Sequence, residues 1–202
     1  MNPTYKTISK ASEGLYKEKG SKFIGIAIPV KSEEQIKEHL EEIKKQYHDA
    51  RHHCYAWMLG YDRNQFRAND DGEPSNSAGK PILGQIESFE LTNVLIVVVR
   101  YFGGTKLGVG GLITAYKIAA KEALDNADIF EDTVKQGIEF TCDYADMPHV
   151  MNLIKENQFE IVKQEMEANC TLGVEIEMDQ IEFLKAKLSE FKSVELTKDE
   201  IL

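Results

Sequence analysis

The chain has 202 residues, of which 42% are apolar and 29% charged; this is ordinary globular usage and excludes a fibrous repeat or wholesale disorder. Its net charge is -10, but residues 1–130 carry 17 Lys+Arg and 17 Asp+Glu while residues 131–202 carry 7 against 17, so the entire excess sits in the last third, which repels phosphate backbones. The longest aliphatic run, Leu95 to Val99, is too short to span a bilayer, residues 1–22 lack an apolar secretion segment, and Cys54, Cys142 and Cys170 include no C-x-x-C pair, which points to a cytoplasmic protein with reduced thiols and no membrane partner.

Residues 22–30 predict a strand, with Ile24, Ile26, Ile28 and Val30 alternating at period two. Ser32 and Gln35 predict a capping box, and the helix it opens carries an apolar stripe of Ile36, Leu40, Ile43 and Tyr47. Residues 55–59 predict a second strand with Tyr55 and Trp57 as core. Residues 93–100 predict a third, whose unbroken aliphatic run places it at the centre of a sheet. Between them residues 62–85, rich in Asp, Gly, Pro, Ser and Asn, predict a long surface loop. Glycines at 103, 104, 108, 110 and 111 then lead into a helix over about 112–126, with Leu112, Ile113, Tyr116, Ala119, Ala120, Ala123 and Leu124 facing inward.

From Val134 the pattern restarts. Val134, Gln136, Ile138, Phe140 and Cys142 alternate as on a half-buried strand, and Asp146 caps a helix whose inner face is Val150, Leu153 and Ile154. Strands over 159–166 and 170–178, a helix opened by Asp179 and Glu182, and a strand over 191–196 follow. The order is β-α-β-β-α-β, a ferredoxin-like split βαβ unit. The expected fold class is α+β, with an α/β sandwich over 1–130 and a ferredoxin-like domain over 131–202, joined near 128–133.

Three stretches stand out: Ala50 to Trp57 (ARHHCYAW), Asp70 to Leu83 (DDGEPSNSAGKPIL) and Asn93 to Leu112 (NVLIVVVRYFGGTKLGVGGL). Together with Lys19 to Phe23 (KGSKF) they resemble the YigZ/IMPACT family, the most specific part being Arg100-Tyr101-Phe102-Gly103-Gly104 and Leu107-Gly108 after an aliphatic strand. The resemblance implies a first domain similar to elongation factor G domain IV and a second similar to its domain V. It also implies a place in translation, because eukaryotic relatives interfere with activation of the kinase that phosphorylates initiation factor 2, by binding another protein through a chain that carries an extra N-terminal domain. One departure is visible: Asn76 and Ser77 stand where the family has Gly and Thr, and Asn is the best substitute for glycine in a left-handed turn.

The glycine loop from Gly103 to Gly111 presents successive backbone amides at a helix N-terminus, where an anion can bind; the same glycines equally serve a tight turn and close packing. Gly103, Gly104, Gly108, Gly110 and Gly111, with Arg51, Lys80, Arg100 and Lys106, form the candidate binding surface, and Arg63, Arg67 and Lys117 extend it if they share its face. No nucleotide motif is satisfied, since neither G-x-x-x-x-G-K-[ST] nor G-x-G-x-x-G is present. His53, Asp71 and Glu73, with Asp70, are the candidates for acid/base or hard-metal chemistry. His48 and His52 have helical metal spacing but fall where a helix is ending. No metal or cofactor is demanded by any spacing. Two functional readings follow. The first is a binding protein that contacts RNA, the ribosome or a translation-associated protein through the glycine-rich and basic loops. The second is an enzyme of phosphoryl transfer or hydrolysis built on the His/Asp/Glu cluster. The sequence carries no indication of oligomeric state.

Overall fold

The computed structural model describes residues 3–167 and 169–201. By backbone contacts the chain divides into two compact units, one over Tyr5–Asp132 and the other from Thr133 onward, which also takes in Thr4. The fold class is α+β, as expected from the sequence.

The first unit is built on an antiparallel sheet in the order β2 (Ser12–Glu18), β3 (Ser21–Pro29), β6 (Val94–Tyr101), β4 (His52–Leu59), β5 (Gln65–Asn69). Strand β6 occupies the centre and is buried from Val94 to Arg100, as its aliphatic run predicts. Both faces of the sheet are covered because side chains alternate across it. Leu95, Val97 and Val99, with Ile24, Ile26, Ile28 and Trp57, pack against Ile36 and Ile43 of α1 (Glu33–Gln46). Ile96 and Val98, with Phe23, Cys54 and Ala56, pack against α2 (Gly79–Ser88) and α3 (Gly108–Asp125). The N-cap of α1 is as expected, since Ser32 Oγ accepts from Gln35 N at 3.3 Å, but Gln35 Oε1 reaches back to Lys31 N at 2.8 Å, one residue before the amide that a capping box would use.

Helix α3 lies close on the sheet because its inner face is Ala115, Ala119, Ala120 and Ala123 around Tyr116. A Cβ at Gly25 would sit 2.2 Å from Ala119 O, so that glycine is required by the approach of helix to strand. The helix begins at Gly108, four residues before the expected start, and Ile113 is 38% exposed while Ala115 is buried, because Leu112, Ala115, Tyr116, Ala119 and Ala123 make the three-and-four-spaced face that meets the sheet.

The polar segment over 62–85 is not one loop; it contains β5 and most of α2. Strand β5 is an edge strand exposed along nearly its whole length, so it has no alternating apolar face to read. Helix α2 opens with Gly79-Lys80-Pro81, and Pro81 is tolerated because first-turn N–H groups have no intrahelical partner. Strands β1 (Thr4–Ile8) and β7 (Ile129–Thr133) pair in a separate two-stranded ribbon, so residues expected to be a connection are extended and hydrogen-bonded.

The second unit runs β8 (Lys135–Cys142), α4 (Met147–Glu156), β9 (Glu160–Met166), β10 (Cys170–Glu177), a 3-10 turn over Met178–Gln180, α5 (Ile181–Leu188) and β11 (Glu195–Ile201). The sheet order β11-β8-β10-β9 is that of a ferredoxin-like domain. Its core joins Ile138, Phe140, Leu172 and Val174 to Val150, Ile154, Leu184 and Leu188. Asp146 stands at the start of α4, but its carboxylate accepts from Ser193 Oγ at 2.7 Å rather than capping the helix. Among the described residues no helix is long and apolar enough to cross a membrane.

Candidate functional site

At one end of the first unit's sheet the segments 70–78 and 102–112 face each other across a cavity of about 400 Å³. Strands β4 and β6 form its floor, since His52 and Arg100 are direct cross-strand partners and both line it. Glu73 and Pro74 close one side, and Phe102, Lys106, Leu107, Gly108, Val109 and Leu112 the other, with Arg51 at the rim.

Arg100 is buried at 7% exposure. Its guanidinium Nη1 donates to Glu73 Oε1, and the two side chains expose only 8% and 5%. Tyr116 Oη donates to the same Oε1 at 2.8 Å. The guanidinium also lies over two rings, 5.4 Å from the centroid of Phe23 and 5.6 Å from that of Phe102, a favourable cation–π geometry. Behind Tyr116, Cys54 Sγ lies 3.3 Å from Tyr116 Oη and 3.0 Å from Asp70 O. Burial pushes the Cys54 thiol up to about 12, with the nearby carboxylates adding to it, and burial raises the Tyr116 phenol as well. Both remain protonated at neutral pH.

The acidic loop is structural wiring. Asp70 Oδ1 accepts from Ala78 N and Gly79 N, both at 2.9 Å, and Oδ2 accepts from Asn76 N at 2.8 Å. A carboxylate eight residues upstream thus caps α2, whose own N-cap residue, Ala78, makes no side-chain cap. Asp71 Oδ2 accepts from His53 N at 2.6 Å. Asn76 has φ +60, so the left-handed turn expected of it at a glycine position is present.

His53 is turned away from the cavity: it is buried, and its Nε2 bonds to Tyr47 O at 3.1 Å. Neighbours on a strand point to opposite faces, and it is His52 that lines the cavity, its Nδ1 2.8 Å from Asp71 O. Of the acid/base candidates only Glu73 reaches the cavity, and it is held by Arg100 and Tyr116. Among the described residues no group of three or more His, Cys, Asp or Glu side chains converges as metal ligands do.

The cations gather only in part. Arg51, Arg100 and Lys106 line the cavity. Lys80 is exposed on α2 and Lys117 on α3, neither lining it, and Arg67 is exposed on β5. Arg63 lies at the far end of β4, its Nε 3.1 Å from Met58 Sδ. Sequence reasoning placed Arg100 on the surface and missed Tyr116 and Cys54 as its supports, because a Tyr on a helix and a Cys on a strand read only as core.

The glycines have separate tasks. Gly103 is required by contact: a Cβ there would lie 1.8 Å from Gly20 C, and Gly103 N donates to Ser21 Oγ at 3.1 Å. Gly104 (φ +86) and Gly108 (φ +72) adopt left-handed backbone with open space around them. Gly110 is open, and Gly111 meets only Leu107. Helix α3 starts at Gly108 with no side-chain cap and no acidic residue in its first turn. Among the described residues no side chain caps its N-terminal amides, and the positive end of its dipole lies at the cavity wall.

The family model described as the Impact N-terminal domain matches residues 19–124, which span this cavity and every strand of the sheet beneath it except β2. The chain is 36% identical over 159 residues to the IMPACT family member YvyE of Bacillus subtilis, covering 79% of this chain and 73% of that one. It is 33% identical over 175 residues to the IMPACT family member YigZ of Escherichia coli, covering 86% of each. A crystal structure of a hypothetical protein superposes with a TM-score of 0.79 at 30% identity over 97% of both chains. Motifs, fold and relatives agree, and the chain belongs to the YigZ/IMPACT family.

Proposed function

We propose that this protein is a cytoplasmic, translation-associated binding protein that captures RNA at the mouth of the cavity between residues 70–78 and 102–112. The observation that carries this reading is the open N-terminus of α3, without cap or carboxylate, in a wall that holds Arg51, Arg100 and Lys106 against the single carboxylate of Glu73. Free amides and unbalanced cations attract phosphate, and exposed Phe102 offers a ring on which a base can stack. The family supports the translational setting, since its eukaryotic members act there.

The reading is tested by the anisotropy of a fluorescent single-stranded oligoribonucleotide titrated with wild type and with Arg51→Ala/Lys106→Ala, at several salt concentrations. Arg100 is left intact because it is part of the buried framework. Binding should weaken in the double variant, and the slope of log K against log salt should shrink by about 1.4, roughly 0.7 for each lost phosphate contact. Equal binding by the two proteins, or none by wild type, overturns it.

A further inference from the structure

The second unit gathers sulfur at one end of its sheet. The chain has three cysteines and six methionines, and four of these residues, from four elements, meet there. Cys142, the last residue of β8, is the direct partner of Cys170, the first of β10, and Cys170 is in turn the partner of Met166, the last of β9. Direct partners on antiparallel strands share a face, with Cβ atoms about 4.5–5.5 Å apart, so the three form one row across three strands. Met147, the first residue of α4, reaches that row from the helix, its Sδ 3.5 Å from Cys170 Sγ. Both thiols are buried. Burial raises the Cys142 thiol, and the Cys170 thiol beside it adds to the shift. Thiolate and thioether are soft ligands that favour monovalent copper, whereas zinc takes thiolate, imidazole and carboxylate. Metal–sulfur bonds of about 2.3 Å put the sulfurs of one coordination shell about 3.8–4.0 Å apart, so the 3.5 Å between Met147 and Cys170 has to open only slightly.

We propose that Cys142, Cys170 and Met147 form a Cu(I) site in the second unit, with Met166 as the ligand through which the ion enters. Met166 is 42% exposed on the edge strand β9 and Met147 is only partly buried, so the two thioethers connect the buried thiols to solvent. The ion bonds to the two cysteine sulfurs in place of their S–H protons, which pass to solvent, and no electron is transferred. This site is independent of the RNA-binding reading, which concerns the first unit.

The test uses the full reduced chain, labelled with carbon-13 in its methionine methyl groups and titrated without oxygen with the Cu(I) complex of bicinchoninate. Loss of that complex's colour reads transfer, and the methyl signals read its place. A single Cu(I) per chain should be taken up, with the Met147 and Met166 signals moving and that of Met58, in the first unit, staying where it is. Zn(II) should leave the Met147 and Met166 signals in place. Met147→Leu, a swap that nearly conserves volume, should lower the affinity by at least about tenfold, since the loss of even an outer-shell partner costs that much. Cys170→Ala should abolish transfer, with the remaining methyl signals reporting that the chain is folded. No transfer to the wild-type chain overturns the site. So does transfer that leaves the Met147 and Met166 signals unmoved or that survives unchanged in both variants, and equal shifts with Zn(II) overturn the choice of copper.

Discussion

Arg100 and Glu73, 27 positions apart in sequence, form an ion pair through Nη1 and Oε1 with side chains only 8% and 5% exposed, and this pair joins the central strand to the loop that walls the cavity. Removing one partner leaves the other charge buried and unpaired. Glu73→Leu and Arg100→Leu alone should each lower stability by about 3–5 kcal/mol, whereas the double variant should cost much less than their sum. Urea unfolding of the four proteins gives the coupling energy, and additive losses would show that the pair contributes no more than its separate contacts.

Asp70 should matter to α2 more than its distance from that helix implies. Its carboxylate serves the amides of Asn76, Ala78 and Gly79, so Asp70→Ala should destabilise the first unit by about 2 kcal/mol, at the upper end for a lost cap. Hydrogen exchange should locate the loss at residues 76–82, and an unchanged exchange pattern there would refute the assignment.

At Gly103 an added methyl group meets the backbone of Gly20 at 1.8 Å. Backbone has no rotamer to yield, so Gly103→Ala should cost roughly 2–3 kcal/mol or more, while Gly110→Ala, with open space around it, should be neutral or slightly stabilising in its helix. Thermal melts of the two variants side by side test the contrast, and equal melting temperatures would count against the close contact.

The raised Cys54 thiol fixes the direction of an alkaline effect. Its folded value is about 12 against 9.0 for the free group, so the unfolded chain loses this proton first and the native state keeps it. The stability gained is fully present below about pH 9 and is lost as pH rises toward 12, a loss on the order of 4 kcal/mol. Cys54→Ala should flatten the fall in unfolding free energy between pH 9 and 11, read by urea titration at each pH. An unchanged slope would assign the alkaline loss to other groups, Tyr116 first, since its phenol is raised in the same sense.

How much could be read beforehand differs by element. Strand β3 and the ferredoxin-like order announced themselves by alternating apolar residues, and β6 by an unbroken aliphatic run that fits burial on both faces. Strand β5 and helix α2 did not, because the one is an exposed edge and the other is capped from Asp70, a contact no local pattern encodes. Strand β2 was lost in a polar stretch: only Gly14 is buried along it, on the face that meets α3. At the site, the glycine loop and the cations Arg51, Arg100 and Lys106 were legible as residue types, but their inside and outside were not. Which of His52 and His53 faces the cavity is set by the register of β4, and the burial of Arg100 by Phe23, Phe102 and Glu73, which come from three separate segments.

The two walls of the cavity differ in how they can yield. The 70–78 wall is bolted at both ends, by Asp70 to the start of α2 and by Glu73 to Arg100, so it cannot swing without unravelling a helix or stripping a buried charge. The 102–108 wall is anchored at Gly103 against Gly20 and again at Leu107, which packs against the core between the sheet and helices α2 and α3, while no side chain crowds Gly104 or Gly108. One wall of the cavity is thus held by a cap and a buried ion pair, and the other by two contacts with an uncrowded stretch between them. Substitutions at Thr105 and Lys106 touch neither the Arg100–Glu73 pair nor the Gly103 contact, so they should alter what the cavity admits while leaving the fold intact.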